Sequence, residues 1–147
     1  MCSVASCKYE VWDKNDINNN TPIYILELMN FISKYNINAN VLDITEIYVD
    51  PRHRCKGYGT LMINQICTKF SNHIIVLLSG ALDKEYDSEP DDNEMIEIKN
   101  RLSKFYTHRN FVSVNDMIGY YQFKEVFIYN NAPGKEILHE LTEKINQ

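Results

Sequence analysis

From Val41 to Ser79 the sequence leaves few folds open. Val41-Leu-Asp-Ile-Thr-Glu-Ile-Tyr-Val49 is an apolar strand, and the basic loop Asp50-Pro-Arg-His-Arg-Cys-Lys56 follows it. Gly57-Tyr58-Gly59 then opens a helix that carries Leu61, Met62, Ile66 and Phe70 on one side, and His73-Ile-Ile-Val-Leu-Leu-Ser79 is an uninterrupted apolar run. A run of that length without polar alternation suits a parallel strand covered on both faces. Strand, helix, strand makes a right-handed crossover unit, so the expected class is α/β.

The first strand of this unit carries a further signal. Leu42 and Ile44 share one face, whereas Ile47 and Val49 share the other, so the apolar phase slips between them. One inserted residue restores it. A β-bulge near Thr45 and Glu46 is the device that inserts one, and it bends its strand away from a neighbour.

The loop that follows has the outline of an anion site. Two glycines let backbone N–H groups approach a bulky anion, and a helix N-terminus adds unpaired donors and the positive end of its dipole. Arg52, Arg54 and Lys56 supply charge beside it. A basic strand-to-helix turn without a ligand is the bland alternative. Arg54-Cys-Lys-Gly57-Tyr-Gly59 has the form R-x-x-G-x-G after a strand ending V-D-P, and no third glycine stands three residues beyond Gly59 as a dinucleotide fingerprint requires. The pattern resembles the acyl-coenzyme A pyrophosphate loop of the GCN5-related N-acetyltransferase (GNAT) superfamily. The resemblance implies that Arg54, Cys55, Lys56, Gly57, Tyr58, Gly59 and Thr60 hold the cofactor's pyrophosphate. It also implies a central mixed, twisted sheet with helices on both faces, in which the family's bulged fourth strand splays from the fifth. The pantetheine arm of acetyl-coenzyme A then enters the gap and bonds the backbone of Ile47, Tyr48 and Val49.

A second motif lies downstream. Met95, Ile98, Leu102 and Phe105 recur at helical spacing, and the helix closes in Phe105-Tyr-Thr-His-Arg-Asn-Phe111. The family's corresponding helix closes F/L-Y-x-x-x-G-F, so the resemblance gives Tyr106 the role of proton donor to the leaving thiolate. Asn110 replaces the glycine, a mild change, since Asn tolerates positive φ best after Gly. Lys99 stands where many members have a cofactor-binding Asn, and Asn100, one place off, is the candidate for that contact.

Elsewhere, residues 3–12 read as a strand, and Thr21-Pro22 predicts a cap and first-turn proline for a helix over 22–35. Only Asn36 to Asn40 then remain before Val41, where the family normally has a β-hairpin. Either that hairpin is missing or the segment that reads as a helix is a strand. After Phe111 come a strand to residue 114, a turn around Asn115 to Gly119, and an aromatic strand from Tyr120 to Tyr129. Pro133-Gly134 breaks the chain there, and a final extra helix carries Ile137, Leu138, Leu141 and Ile145, packing on the body or, in a homodimer, on a second copy.

With 147 residues the chain suits one domain, 1–147, able to bury a core. No apolar run spans a bilayer, no secretory leader is evident, and Cys2, Cys7, Cys55 and Cys67 lack any C-x-x-C pair. A cytoplasmic protein with reduced thiols and no membrane partner or metal is expected. The net charge of −5 gives no general attraction for nucleic acid. From Asp83 to Glu94 seven of twelve residues are acidic, either a solvated loop or a selector for a cationic substrate.

Function follows as an expectation: direct transfer of an acetyl group from acetyl-coenzyme A to a primary amine, with a polyamine, basic peptide, protein lysine or N-terminus, or amino-sugar as acceptor. A carboxylate on the bulged strand serves as base, either Glu46 or Asp43, with Glu46 preferred. Two alternatives stand beside it: a coenzyme A-binding scaffold or sensor without catalysis, and a toxin or counter-defence transferase acting on aminoacyl-tRNA or a host protein.

Overall fold

In the computed structural model, residues 5–13, 15, 17–80, 91–114, 118 and 124–145 are described. Five strands form one sheet: β1 (Ala5–Trp12), β2 (Val41–Val49), β3 (Ile74–Ser79), β4 (Phe111–Ser113) and β5 (Glu125–Tyr129), in the order β1-β2-β3-β5-β4. Four helices accompany them: α1 (Ile23–Lys34), α2 (Tyr58–Lys69), α3 (Asp92–Thr107) and α4 (Ala132–Ile145). β2 and β3 run parallel, joined through α2, and the other pairs are antiparallel. The sheet is therefore mixed, as the resemblance implies.

Strand alternation sorts the core into two layers. Val41, Ile74, Val76, Val126 and Ile128 pack under α1 and α4, through Ile25, Leu28, Ile32, Ile137 and Leu141. Leu42, Ile75, Leu77 and Phe127 pack under α2 and α3, through Ile63, Ile66, Cys67 and Tyr106. Both faces of β3 are thus covered, which is why its sequence reads as an unbroken apolar run. The apolar face of α4 is spent on its own sheet.

Local chemistry sets the helix ends. Pro22 is the N-cap of α1, and the Thr21 hydroxyl accepts from the Asn18 N–H at 2.9 Å instead of capping the helix. The expected Thr cap is thus displaced by one residue. At the other end Asn36 takes φ 54°, with Ile37 N–H donating to Ile32 O and Asn36 N–H to Ser33 O. That is a Schellman closure with Asn in the left-handed position. α4 begins at Ala132, so Pro133 and Gly134 lie in its first turn and do not precede it; the Asn131 side chain accepts from the Gly134 N–H at 2.8 Å. Proline costs little there because a first-turn N–H has no helical partner.

Two features of the sheet position the site. Lys8 pairs with Glu46 but Tyr9 pairs with Ile44, which leaves Thr45 as the extra residue of a bulge. β2 pairs with β3 only from Val41 to Ile44, against Ile74 to Leu77, and beyond that point the strands part. Leu78 and Ser79 keep their partners on β5, so it is β2 that swings away. The phase slip in the sequence is this bulge. Of the two layouts open for residues 1–41, α1 is a helix and β1 takes the place beside β2 directly, with no hairpin among the described residues. The turn expected around Asn115 to Gly119, the aromatic residues Tyr120 to Phe123, and the acidic loop from residue 81 to 90 lie outside the described residues, apart from Ile118.

Candidate active site

The gap between β2 and β3 is a crevice of about 90 Å³ lined by Ile44, Thr45, Glu46, Ile47, Leu77 to Gly80, Leu102 and Tyr106. Beyond the bulge, Ile47 and Val49 turn toward α2 and α3, while Glu46 and Tyr48 share the α1 side with Asp43. Beyond Ile44 the ladder between β2 and β3 ends, so residues 45–49 run along the crevice without a neighbouring strand on the β3 side. An open strand edge of this kind is where an extended ligand can lie.

β2 ends in a loop with two left-handed residues. Asp50 accepts from the Arg52 N–H at 2.9 Å and from its guanidinium, which closes the 3-10 turn Pro51–His53 and holds the Asp50 carboxyl below the usual range. Arg52 is therefore largely neutralised locally. Arg54 folds back, its Nε donating to Val49 O at 3.1 Å. Cys55 has φ 63° and Gly57 φ 88°, with Lys56 between them outside the positive region. Such alternation turns successive N–H groups into one concavity. Gly57 is the N-cap of α2 and supplies no side-chain cap, so the first-turn donors of Tyr58, Gly59 and Thr60 meet no cap. Lys56 and Cys55 are exposed beside them.

The two glycines do different things. A Cβ on Gly57 would meet nothing within 4 Å, so open space and positive φ define that position. A Cβ on Gly59 would stand 3.3 Å from Phe105 Cζ, so Gly59 lets α2 pack closely on α3. Only Gly57 matches the expectation of a residue kept bare for a close approach.

Tyr106 is buried, wedged between Phe105, Phe111 and Phe127 with centroids 5.2 to 5.8 Å away. It still borders the crevice. Burial pushes its phenol up to about 12, so the hydroxyl remains protonated across the physiological range. Asn110 takes φ 70°, as the motif predicts. Asn100 stands exposed on α3 and does not border the crevice.

Sequence reasoning missed Arg109. Its guanidinium stacks 3.7 Å from the Phe105 ring centroid, its Nε donates to the Thr60 hydroxyl at 2.8 Å, and its Nη1 donates to Phe105 O at 2.7 Å. It ties the end of α3 to the start of α2, a place where a cation also complements the helix C-terminus. A basic residue just past a helix end was the only available signal.

On the α1 side of the sheet, the crevice continues into a cleft of about 540 Å³; Ile44, Thr45, Leu78 and Gly80 border both. The cleft is lined by Glu10, Trp12, Tyr24, Asp43 and Lys124 among others. Asp43 is 1% exposed and sits one residue before the strands part. The Tyr24 hydroxyl donates to its Oδ2 at 2.7 Å, and Oδ1 has no partner. Desolvation raises its carboxyl to about 6, with Tyr24 opposing and Glu10 adding to the rise. Glu46, the preferred base from sequence, instead forms an ion pair with Lys8 at 3.3 Å. Among the described residues no cluster of metal-ligating groups occurs, and no helix is long and apolar enough to cross a membrane.

No curated protein sequence matches the chain. The sequence profile of the acetyltransferase (GNAT) family matches residues 24–83, from α1 through β3, which contain the bulged strand, the glycine loop and the parting of β2 from β3. The match ends before α3, whose Tyr106 nevertheless borders the same crevice. The mixed five-stranded sheet of the described residues, with helices on both faces and splayed central strands, agrees with that match, and residues 24–83 are similar to the GNAT family of acetyltransferases.

Proposed function

We propose that the protein transfers an acetyl group from acetyl-coenzyme A directly to a primary amine within this single domain. The observation that carries the proposal is the crevice itself: it opens where β2 leaves β3, Tyr106 borders it, and the glycine loop lies at the far end of the same strand. The residues present fit the cosubstrate. Gly57 leaves bare backbone in open space, the first-turn N–H groups of α2 meet no side-chain cap, and Lys56 and Arg54 bring positive charge for a pyrophosphate. When bound, acetyl-coenzyme A supplies a thioester carbonyl and a thiolate leaving group.

The protein's own groups then divide the work. Backbone N–H groups at residues 47–49 orient the pantetheine arm and the thioester. Asp43 takes the proton of the acceptor amine, directly or through a water; with its carboxyl near 6 it is ionised at neutral pH and still basic enough to serve. As the amine nitrogen bonds the acetyl carbon and the C–S bond breaks, Tyr106 gives its proton to the sulfur. The geometry thus favours Asp43 over Glu46, because Glu46 is engaged by Lys8 whereas Asp43 has a free oxygen. Free thiols at Cys7, Cys55 and Cys67 fit a reducing cytoplasmic setting. The reading is tested by following thiol release from acetyl-coenzyme A across a panel of amines. Release that depends on both amine and Tyr106 supports it; coenzyme A binding without release under any amine would leave a scaffold.

A further inference from the structure

The cleft on the α1 side holds two buried polar atoms that no protein group satisfies. Trp12 Nε1 can only donate, and Asp43 Oδ1, when ionised, can only accept. A buried group left unpaired costs about 1–3 kcal/mol, so two on the walls of one cleft call for a reason. Asp43 pairs with Glu10 and Trp12 with Val41, which puts Trp12 and Asp43 diagonally opposite on one sheet face. Diagonal neighbours have backbones about 7–8 Å apart, so the two side chains belong to one stretch of the cleft wall.

A ligand that satisfies both needs a cationic donor for Asp43 and an acceptor for Trp12 a short distance away. An α-aminoacyl group has this arrangement. Successive bonds of about 1.46, 1.52 and 1.23 Å separate its nitrogen from its carbonyl oxygen, so the two lie about 3 Å apart. Alkylamines and polyamines offer donors alone and leave the indole N–H unmet. Glu10, beside Asp43, strengthens the preference for an ammonium at that end.

We infer that the acceptor is the α-amino group of an amino acid or peptide, with its ammonium at Asp43 and its carbonyl at the Trp12 indole. This rests on the acetyl-transfer reading, which it narrows. A free amino acid would also place its carboxylate within the field of Lys124, which lines the same cleft. A peptide or amide would not use that charge.

Trp12 is the only tryptophan of the chain, so its fluorescence reports occupancy of the cleft without any need for turnover. Titrating the full chain with alaninamide, alanine, propylamine and spermidine should give a saturable change with the first two. Alaninamide should bind at least about tenfold more tightly than propylamine, one hydrogen bond's worth. Asp43→Asn should remove the response. Alanine binding better than alaninamide, with the advantage lost in Lys124→Gln, identifies a free amino acid; equal binding identifies a peptide terminus. Propylamine or spermidine matching alaninamide, or no saturable change, overturns the inference. Thiol release measured in parallel separates the two levels. Release to propylamine as efficient as to alaninamide would refute the acceptor class alone, whereas alaninamide binding with no release would refute transfer itself and the acceptor role with it.

Discussion

Replacing Asp43 by Asn should make the protein more stable and less active at once. The carboxyl moves from 3.8 to about 6 on folding, roughly two pH units, and at 1.36 kcal/mol per unit the ionised form is disfavoured in the folded chain by about 3 kcal/mol. Because the folded value is the higher one, the folded chain binds more protons than the unfolded chain between about pH 4 and 6. Stability therefore falls as pH rises through that window, and the full penalty is present above it. Asn keeps an acceptor for the Tyr24 hydroxyl and carries no charge, but its amide donors meet no partner where Oδ1 stood, which takes back about 1 kcal/mol. Urea denaturation at pH 8 should show Asp43→Asn more stable by about 1–3 kcal/mol, with the advantage gone near pH 3.5. Acetyl transfer should fall by about a hundredfold or more over the same series. A variant less stable than wild type at pH 8, or a gain independent of pH, would refute the account of Asp43 as a buried carboxylate held ready for a proton.

Tyr106→Phe removes only a hydroxyl and should lower turnover by about ten- to a thousandfold with coenzyme A affinity little changed; unchanged turnover with chemistry rate-limiting would assign Tyr106 to packing among its phenylalanines. Gly57→Val should abolish acetyl-coenzyme A binding in calorimetry. Because φ is 88°, it should also cost about 1–2 kcal/mol of stability, whereas Gly57→Asn, which tolerates that φ, should fold normally and still bind poorly. Arg109→Ala should lose the Thr60 bond and the stack on Phe105, lowering stability by about 1–2 kcal/mol and weakening coenzyme A binding by loosening the start of α2. Neutralising Asp87, Glu89, Asp91 and Asp92 to amides should raise the acceptor's KM and flatten its salt dependence if the acidic segment gathers the ammonium. An unchanged KM at low salt would leave that segment as a solvated connection, with Asp91 as the cap of α3.

What was legible in the sequence was what local periodicity encodes. A strand's side chains alternate with a period of two, so one extra residue between Ile44 and Ile47 shows as a phase slip; the order of apolar residues places a bulge near Thr45 and Glu46, and the strand register puts it at Thr45. Asn110 could be given positive φ because few residues accept that conformation after a helix. The cleft was not legible. Trp12, Tyr24 and Asp43 come from β1, α1 and β2, and they meet because β1 lies directly beside β2, one of the two layouts the sequence left open. No local pattern announces that pairing. The same gap explains the preference for Glu46 over Asp43: the partner that occupies Glu46, Lys8, is thirty-eight residues away, and the burial that tunes Asp43 is a property of the assembled layer. The contact of Gly59 with Phe105 was hidden for a similar reason, since it crosses from α2 to α3.

The central claim is that the crevice between β2 and β3 holds acetyl-coenzyme A with its pyrophosphate on the glycine loop. Amide chemical-shift mapping by NMR during titration with acetyl-coenzyme A tests it most directly. The largest shifts are expected at Ile47 to Val49, Lys56 to Thr60 and Ser79, with the Asn38 to Asn40 and His73 region at the other end of the sheet unmoved. Shifts centred on that opposite end, or no saturable shifts at Gly57 and Val49, would contradict the account.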